Sequence, residues 1–111
     1  MRDMPKRIEQ VNELLHREIA AAVARDVELP DVLVTVQNVV TTVDLTSAQV
    51  WLSVLPDAKT GTALAAIRRQ QGLIYTALKK NTRLRKIPTL TFLFDDTQRN
   101  AAEINEVIAN L

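Results

Sequence analysis

The stretch "RRQQGLIYTALKK" (residues 68–80) has the composition of a helix, yet a glycine stands at position 72. A glycine inside a helix costs roughly 1 kcal/mol relative to alanine, so Gly72 predicts a break that has a structural reason. A break there divides the segment into helices of about 61–70 and 73–81. The free N–H groups that open the second helix would form a seat for a phosphate. Close packing of Gly72 against a neighbouring helix is the alternative explanation.

Ordered elements are predicted on both sides of this stretch. The first helix runs to about Arg25, with its apolar residues on one face: Ile8, Val11, Leu15, Ile19, Ala22 and Val23. The β-branched run "VLVTVQNVV" (32–40) and the alternating run "SAQVWLSVL" (47–55) predict an antiparallel hairpin. "TLTFLF" (89–94) predicts a third strand with Leu90, Phe92 and Phe94 inward. A last helix follows the capping residues 95–97, with a shared apolar face: Ala101, Ile104, Val107 and Ile108.

The order helix, strand, strand, broken helix, strand, helix predicts a two-layer α+β domain with helices on one face of a three-stranded mixed sheet. A strand–helix–strand crossover favours a parallel second and third strand. The broken helix carries one apolar stripe, which consists of Leu64, Ile67, Leu73, Ile74 and Leu78. The chain has no internal repeat and only two glycines, so residues 1–111 are interpreted as a single domain.

Charge is distributed very unevenly along the chain. Residues 58–94 contain 8 of the 14 basic residues and none of the 13 acidic ones, although the whole chain has a net charge of +1. Such asymmetry indicates one face suited to a polyanion. A solvated helix face that happens to be basic is the alternative. The candidate RNA-binding residues are Arg68, Arg69, Lys79, Lys80, Arg83, Arg85 and Lys86, and Lys59 lies in the same acid-free region.

Composition excludes several classes of protein. The chain has no cysteine, which excludes disulfides and thiolate metal sites. No apolar run approaches the roughly 20 residues that span a membrane. The first residues lack the apolar core of a signal peptide, so we expect a cytoplasmic protein. The two glycines match no phosphate-binding loop, and we expect neither a cofactor nor a metal.

Few side chains offer catalytic chemistry. His16 is the sole histidine, and a histidine on a helix is more often a surface or boundary residue than a base. Asp95 and Asp96 could hold a cation, but carboxylates at a strand end more often cap the following helix. Tyr75 is interpreted as a half-buried ring, and Trp51 either as a partly exposed sheet residue or as one packed under the last helix.

Four stretches resemble the ribosome-binding factor A family, whose domain is a variant of the type II KH fold. "RIEQVNELLHREIA" (7–20) is similar to its opening helix, and "DLTSAQVWLSVL" (44–55) to its Asp-Leu-x-x-Ala strand. "QQGLIYTALKK" (70–80) is similar to the segment in which the family has an Ala-x-Gly kink instead of a GxxG loop. "LRKIPTLTFLFDDT" (84–97) resembles its Leu-Arg-x-x-Pro-x-Leu-x-Phe-x-x-Asp pattern. Together these stretches span nearly the whole chain.

The resemblance implies a KH-like type II domain of order α-β-β-α-kink-α-β-α, with the kink at Gln70, Gln71 and Gly72. Gln70 departs from the family because alanine is usual at its position. Residues 74 and 75 also depart from the family's Phe-(Ile/Leu)-Arg pattern, so a basic residue is missing there. The resemblance therefore leaves the role of Gln70 as the open structural question.

The resemblance also implies a function. It predicts a monomeric, non-enzymatic assembly factor that binds immature small (30S) ribosomal subunits and their 16S rRNA. Such a factor promotes late maturation and processing of the 5′ end of the rRNA, matters most in the cold, and leaves with the help of an assembly GTPase. Two alternatives stay open: a KH-like module for other RNA or single-stranded DNA, and a metal-dependent nuclease that uses Asp95 and Asp96.

Overall fold

A computed structural model describes residues 3–94, with side chains from residue 7 onward. In chain order the elements are helix α1 (Asp3–Asp26), strands β1 (Leu33–Thr41) and β2 (Ser47–Leu55), a 3-10 turn (Asp57–Lys59), helices α2 (Thr60–Arg69) and α3 (Gln71–Asn81), and strand β3 (Thr89–Phe94). This order confirms the predicted α+β fold class. The predicted last helix, with Ala101, Ile104, Val107 and Ile108, lies outside the described residues.

The sheet has the order β1-β2-β3, so β2 is its central strand. β1 and β2 form an antiparallel hairpin, and β2 and β3 run parallel, with Val50 opposite Phe92. The helices α2 and α3 form the crossover between these parallel strands. Both pairings confirm the prediction made from the alternation of apolar residues and the order of the elements.

Alternation along the strands directs one set of side chains into the core. On β2, Ala48, Val50, Leu52 and Val54 are buried, whereas Trp51 is half-buried on the opposite face. The largest fully buried side chains come from every layer of the fold: Leu15, Ile19, Leu52, Ile67, Ile74, Leu78 and Phe92. The helices therefore lie on one face of the sheet and bury their apolar residues against it.

The prediction that Leu73 belongs to the apolar stripe of the broken helix is wrong, because Leu73 is 46% exposed. The buried residues of α3 are Ile74, Ala77 and Leu78. Leu73 precedes Ile74 by one residue, a rotation of about 100° around the helix. Ile74 comes seven residues after the buried Ile67, a spacing of almost two full helical turns, whereas Leu73 is about 100° away from Ile74 and faces outward.

Side chains from the helices bond to backbone groups of the two outer strands. On β1, His16 Nε2 lies 2.8 Å from the carbonyl oxygen of Val36, next to a β-bulge between Val36 and Asn38. Asn12 Oδ1 accepts a hydrogen bond from the N–H of Thr41 at 2.9 Å.

On β3, the hydroxyl of Tyr75 accepts from the N–H of Leu90 at 2.7 Å. The guanidinium of Arg68 donates to the carbonyl of Phe92 at 3.0 Å. Side chains of α1, α2 and α3 thus satisfy strand groups that the sheet itself leaves without a strand partner.

Candidate nucleic-acid interface

The break between α2 and α3 is a single residue, Gln70, which belongs to the predicted kink of Gln70, Gln71 and Gly72 but comes two residues before the glycine. Gln70 has φ −102° and ψ 11°, which departs from helical geometry without entering the left-handed region. Its N–H still bonds to the carbonyls of Ala66 and Ile67, and its carbonyl accepts from the N–H of Leu73 at 3.0 Å. One residue of non-helical conformation is therefore enough to end α2 and begin α3.

Gly72 lies in the first turn of α3 and is exposed. It does not have a positive φ, and a Cβ built on it would meet nothing within 4 Å. The alternative explanation, close packing against a neighbouring helix, is therefore wrong. Within the described residues the fold does not need a glycine at this position, and at Gly72 the exposed backbone is not covered by a side chain of its own.

Gln70 links the break to the connection between α1 and β1. Its side-chain Oε1 accepts from the N–H of Glu28 at 3.0 Å, and its Nε2 donates to the carbonyl of Glu28 at 3.0 Å. Nε2 also lies 3.2 Å from the carbonyl oxygen of Ala66. Glu28 is 42 residues away along the chain. No local sequence pattern could have predicted this pairing, which requires knowledge of how α1 ends beside the break.

All eight basic residues of the acid-free region are exposed. Arg68 and Arg69 lie in the last turn of α2, and Lys79 and Lys80 in the last turn of α3. The C-terminal end of a helix favours positive charge, which is a local structural reason for these four positions. Arg83, Arg85 and Lys86 lie outside the helices, in the connection from α3 to β3.

The structure divides the predicted RNA-binding residues into three groups. Five of them form what we call the basic turn, at the end of α3 and in the connection after it: Lys79, Lys80, Arg83, Arg85 and Lys86. Arg69 lies at the opposite end of α3, which has 11 residues and is therefore about 16 Å long. Arg68 is separate again, because its guanidinium is bonded to the Phe92 carbonyl of β3.

The positive charge of the basic turn acts on an acidic residue of another element. The pKa of Asp26, at the end of α1, is lowered from its ordinary value, chiefly by a hydrogen bond from Arg25 and to a smaller degree by the positive charge of Lys80. The acid-free stretch of sequence is therefore not entirely free of acid in three dimensions. Lys80 lies at the boundary of the positive surface, whereas Arg83, Arg85 and Lys86 lie farther along the chain in the connection to β3.

The sheet offers a surface of the opposite character, since none of the residues in β1, β2 and β3 is charged. Trp51 is half-buried between Asn38 of β1 and Leu93 of β3 in the strand register. Phosphate neutralisation by Lys and Arg supplies most of the affinity of proteins for nucleic acid. A polyanion is therefore expected on the side of the basic turn.

The candidate catalytic residues form no reactive site in the part of the chain that the structure describes. The hydrogen bond of His16 to the Val36 carbonyl makes Nε2 its donor and gives the ring a structural role. No group of three His, Asp or Glu residues between 3 and 94 could hold a metal ion. Asp95 and Asp96 lie outside the described residues. Among the helices that are described, none is long and apolar enough to cross a membrane.

Comparison with known proteins identifies the family. The model of the family described as Ribosome-binding factor A matches residues 7–108. The chain belongs to the ribosome-binding factor A family. Proteins of that name include one from Akkermansia muciniphila, 34% identical over 108 residues that cover 97% of this chain and 86% of the relative. Another, from Chlamydia pneumoniae, is 38% identical over 95 residues, which are 82% of this chain and 79% of the relative.

Solved structures of the ribosome-binding factor A family share the fold. The crystal structure of ribosome-binding factor A from Thermus thermophilus matches with a TM-score of 0.71 at 26% identity, over 78% of this chain and 93% of that one. A solution NMR structure of a Thermotoga maritima protein matches with a TM-score of 0.64 at 27% identity, over 78% and 84% of the two chains. The predicted family and fold are both confirmed.

Proposed function

We propose that this protein binds the small (30S) ribosomal subunit during its assembly, with the basic turn on 16S rRNA. The observation that carries the proposal is the exposed cluster of five cations in a chain whose relatives are named ribosome-binding factors. The uncharged strands support the same orientation, because they offer no cation to a phosphate. The protein acts by binding, without catalysis of its own.

The finer function follows the family resemblance. The protein promotes late maturation of the subunit and processing of the 5′ end of 16S rRNA, and it is needed most at low temperature. It acts as a cytoplasmic monomer of one domain and is released with the help of an assembly GTPase. Incubation of precursor rRNA with the pure protein and Mg²⁺ should give no cleavage, whereas cleavage would contradict a purely binding role.

Contact with phosphates predicts a strong dependence on salt. If the basic turn neutralises about five phosphates, the logarithm of the affinity should fall with a slope of about −3.5 to −4.5 against the logarithm of salt concentration. The lower value applies to single strands and the higher one to duplexes. A flat response would mean that charge does not hold the protein on the subunit.

Charge reversal tests the surface. The double variant Lys79→Glu, Lys80→Glu should bind free small subunits with more than 100-fold lower affinity, because two attractive contacts become repulsive. Co-sedimentation measures this affinity. The matched control is Arg7→Glu with Arg17→Glu, two exposed cations of α1 that change the net charge by the same amount. We expect the affinity of the control variant for small subunits to fall only a few-fold. Equal losses in both variants would contradict a localised interface.

A second measurement separates ribosome assembly from general binding of RNA or single-stranded DNA. The protein should sediment with free small subunits and not with assembled ribosomes. Equal affinity for subunits and for an unrelated single-stranded RNA of similar length would favour the general binding module.

A further inference from the structure

The two helices of the crossover pack mainly on different partners, although Arg68 of α2 and Tyr75 of α3 both bond to β3. α2 packs against β2 and β3, whereas α3 packs against α1. The helices meet at Gln70, whose backbone conformation is only moderately different from helical. A contact at the joint itself would add to this packing in favouring the observed break over a bend of another angle or a continuous helix.

The side chain of Gln70 supplies such a contact. Its carboxamide uses its acceptor on the N–H of Glu28 and its donor on the carbonyl of the same residue, both at 3.0 Å. This pairing needs one acceptor and one donor a fixed distance apart, which an amide has and a carboxylate or an apolar side chain lacks. The donor also lies 3.2 Å from the carbonyl of Ala66 in α2. Gln70 therefore joins α2, the break and the residues that follow α1.

Gln70 also stands between two sets of cations. Arg69 precedes it at the end of α2. The basic turn begins at Lys79, in the last turn of α3. The orientation of α3 relative to α2 therefore determines the spacing between Arg69 and the basic turn. Cations held at a fixed spacing bind a structured polyanion more tightly than the same cations on a flexible joint, because less conformational freedom is lost on binding.

We propose that Gln70 is a positioning residue for RNA binding, whose carboxamide fixes the orientation of α3 relative to α2 by pairing with both backbone groups of Glu28. This inference rests on the proposed function and adds to it a residue that carries no charge and needs no contact with RNA. Its effect is on the geometry of the cations and not on their number.

The test compares Gln70→Met with Gln10→Met in binding to purified small ribosomal subunits at several salt concentrations. Methionine keeps the length and neutrality of glutamine and removes its hydrogen bonds. Gln10 is the matched control, because it is an exposed helical glutamine outside the kink and its side chain makes no hydrogen bond within the described residues. We expect Gln70→Met to lose about tenfold in affinity at every salt concentration, with the slope of the wild type, and Gln10→Met to bind as the wild type does.

Each other outcome overturns a specific statement. Equal affinity of the two variants overturns the positioning role and leaves the proposed function intact. A reduced salt slope in Gln70→Met means that Gln70 acts on the number of phosphate contacts, which also overturns positioning. Failure of the wild type to bind small subunits even at low salt removes the proposed function, and the present inference with it.

A measurement on the free protein keeps the inference testable if Gln70→Met is less stable. The chain has no cysteine, so spin labels at Thr62→Cys in α2 and Thr76→Cys in α3 report one distance across the break. Both positions are exposed. Gln70→Met should broaden or shift this distance distribution relative to wild type and Gln10→Met, measured where thermal melts show each protein folded. An unchanged narrow distribution overturns the inference.

Discussion

Two regions of the molecule differ in their content of charged residues. One is the set of three strands, and the other is the helix pair with the connection that follows it. β1, β2 and β3 contain no charged residue, whereas the segment from Arg68 to Lys86 contains seven cations and no acid. The strands supply much of the buried core, and the cations are all exposed. Under the proposed function, substitutions in the strands should affect mainly stability, whereas substitutions of the cations should affect mainly binding.

The largest expected effect is on stability, from the core side chain Phe92. It is only 2% exposed in β3, so Phe92→Ala should lower the free energy of unfolding by about 3–5 kcal/mol. Leu93→Ala, at the half-buried neighbour, should cost much less. Urea denaturation of both variants checks the difference. Similar losses of unfolding free energy in the two variants would show that the two faces of the sheet contribute equally to stability, which would contradict the expected difference between Phe92 and Leu93.

The two adjacent arginines of α2 sharpen the comparison. Arg68→Ala removes the hydrogen bond to the Phe92 carbonyl and should cost about 1 kcal/mol of stability, a figure discounted because the side chain is exposed. Arg69→Ala should leave stability within about 0.5 kcal/mol, as is usual for surface sites. Subunit binding should show the reverse order, with the larger loss for Arg69→Ala. Equal melting temperatures of Arg68→Ala and Arg69→Ala would mean that the hydrogen bond of Arg68 to β3 does not contribute to stability.

The two glycines form a second matched pair. Each lies at the second residue of its helix, Gly61 in α2 and Gly72 in α3, and neither has an atom within 4 Å of a built Cβ. Replacement by alanine should stabilise each helix by about 0.5–1 kcal/mol. Only Gly72→Ala should weaken binding to small subunits, since it adds a methyl group where we expect RNA to approach. Unweakened binding would mean that the RNA backbone does not come close to Gly72.

The smallest effect concerns Asp44 in the hairpin connection. Hydrogen bonds from Thr46 and Thr42 lower the pKa of this exposed carboxyl below its ordinary value. A lowered pKa in the folded state means that the stabilisation is present above the unfolded value, about pH 4, and is lost as the pH falls through the folded value. Asp44→Asn should flatten that part of the stability–pH profile. A profile unchanged in this window would show that the loop bonds are unimportant for stability.

The strands were predictable from sequence because alternation of apolar residues has a short, unambiguous period. The predicted 47–55 coincides with β2, and 89–94 with β3. The predicted kink of residues 70–72 includes the observed break at Gln70. The prediction attributed the break to Gly72 because it used the intrinsic preference of glycine. At the actual break, the side chain of Gln70 bonds to a residue 42 positions away. The intrinsic helix preference of a residue is a local property, whereas the hydrogen bonds between Gln70 and Glu28 depend on how α1 and the crossover pack together.

The candidate site was predictable in composition and not in arrangement. The basic stretch indicated the cations and their exposure, which the structure shows for every one of them. The sequence could not indicate that Arg68 bonds to β3 or that the charge of Lys80 lowers the pKa of Asp26, since both depend on packing between distant elements. Tyr75 was expected to be half-buried, as it is, but its bond to Leu90 required the position of β3.

The bonds from helix side chains to the outer strands also have a consequence for encounters with other polypeptides. Unpaired strand edges are where foreign chains add a strand, leading to swapped dimers or fibres. Here the carbonyls of Val36 and Phe92 and the N–H groups of Thr41 and Leu90 are already engaged by side chains of the helices. An incoming chain would have to displace those bonds before it could pair. Extension of the sheet at these four groups is therefore disfavoured, which lowers the tendency of the protein to form swapped dimers or fibres.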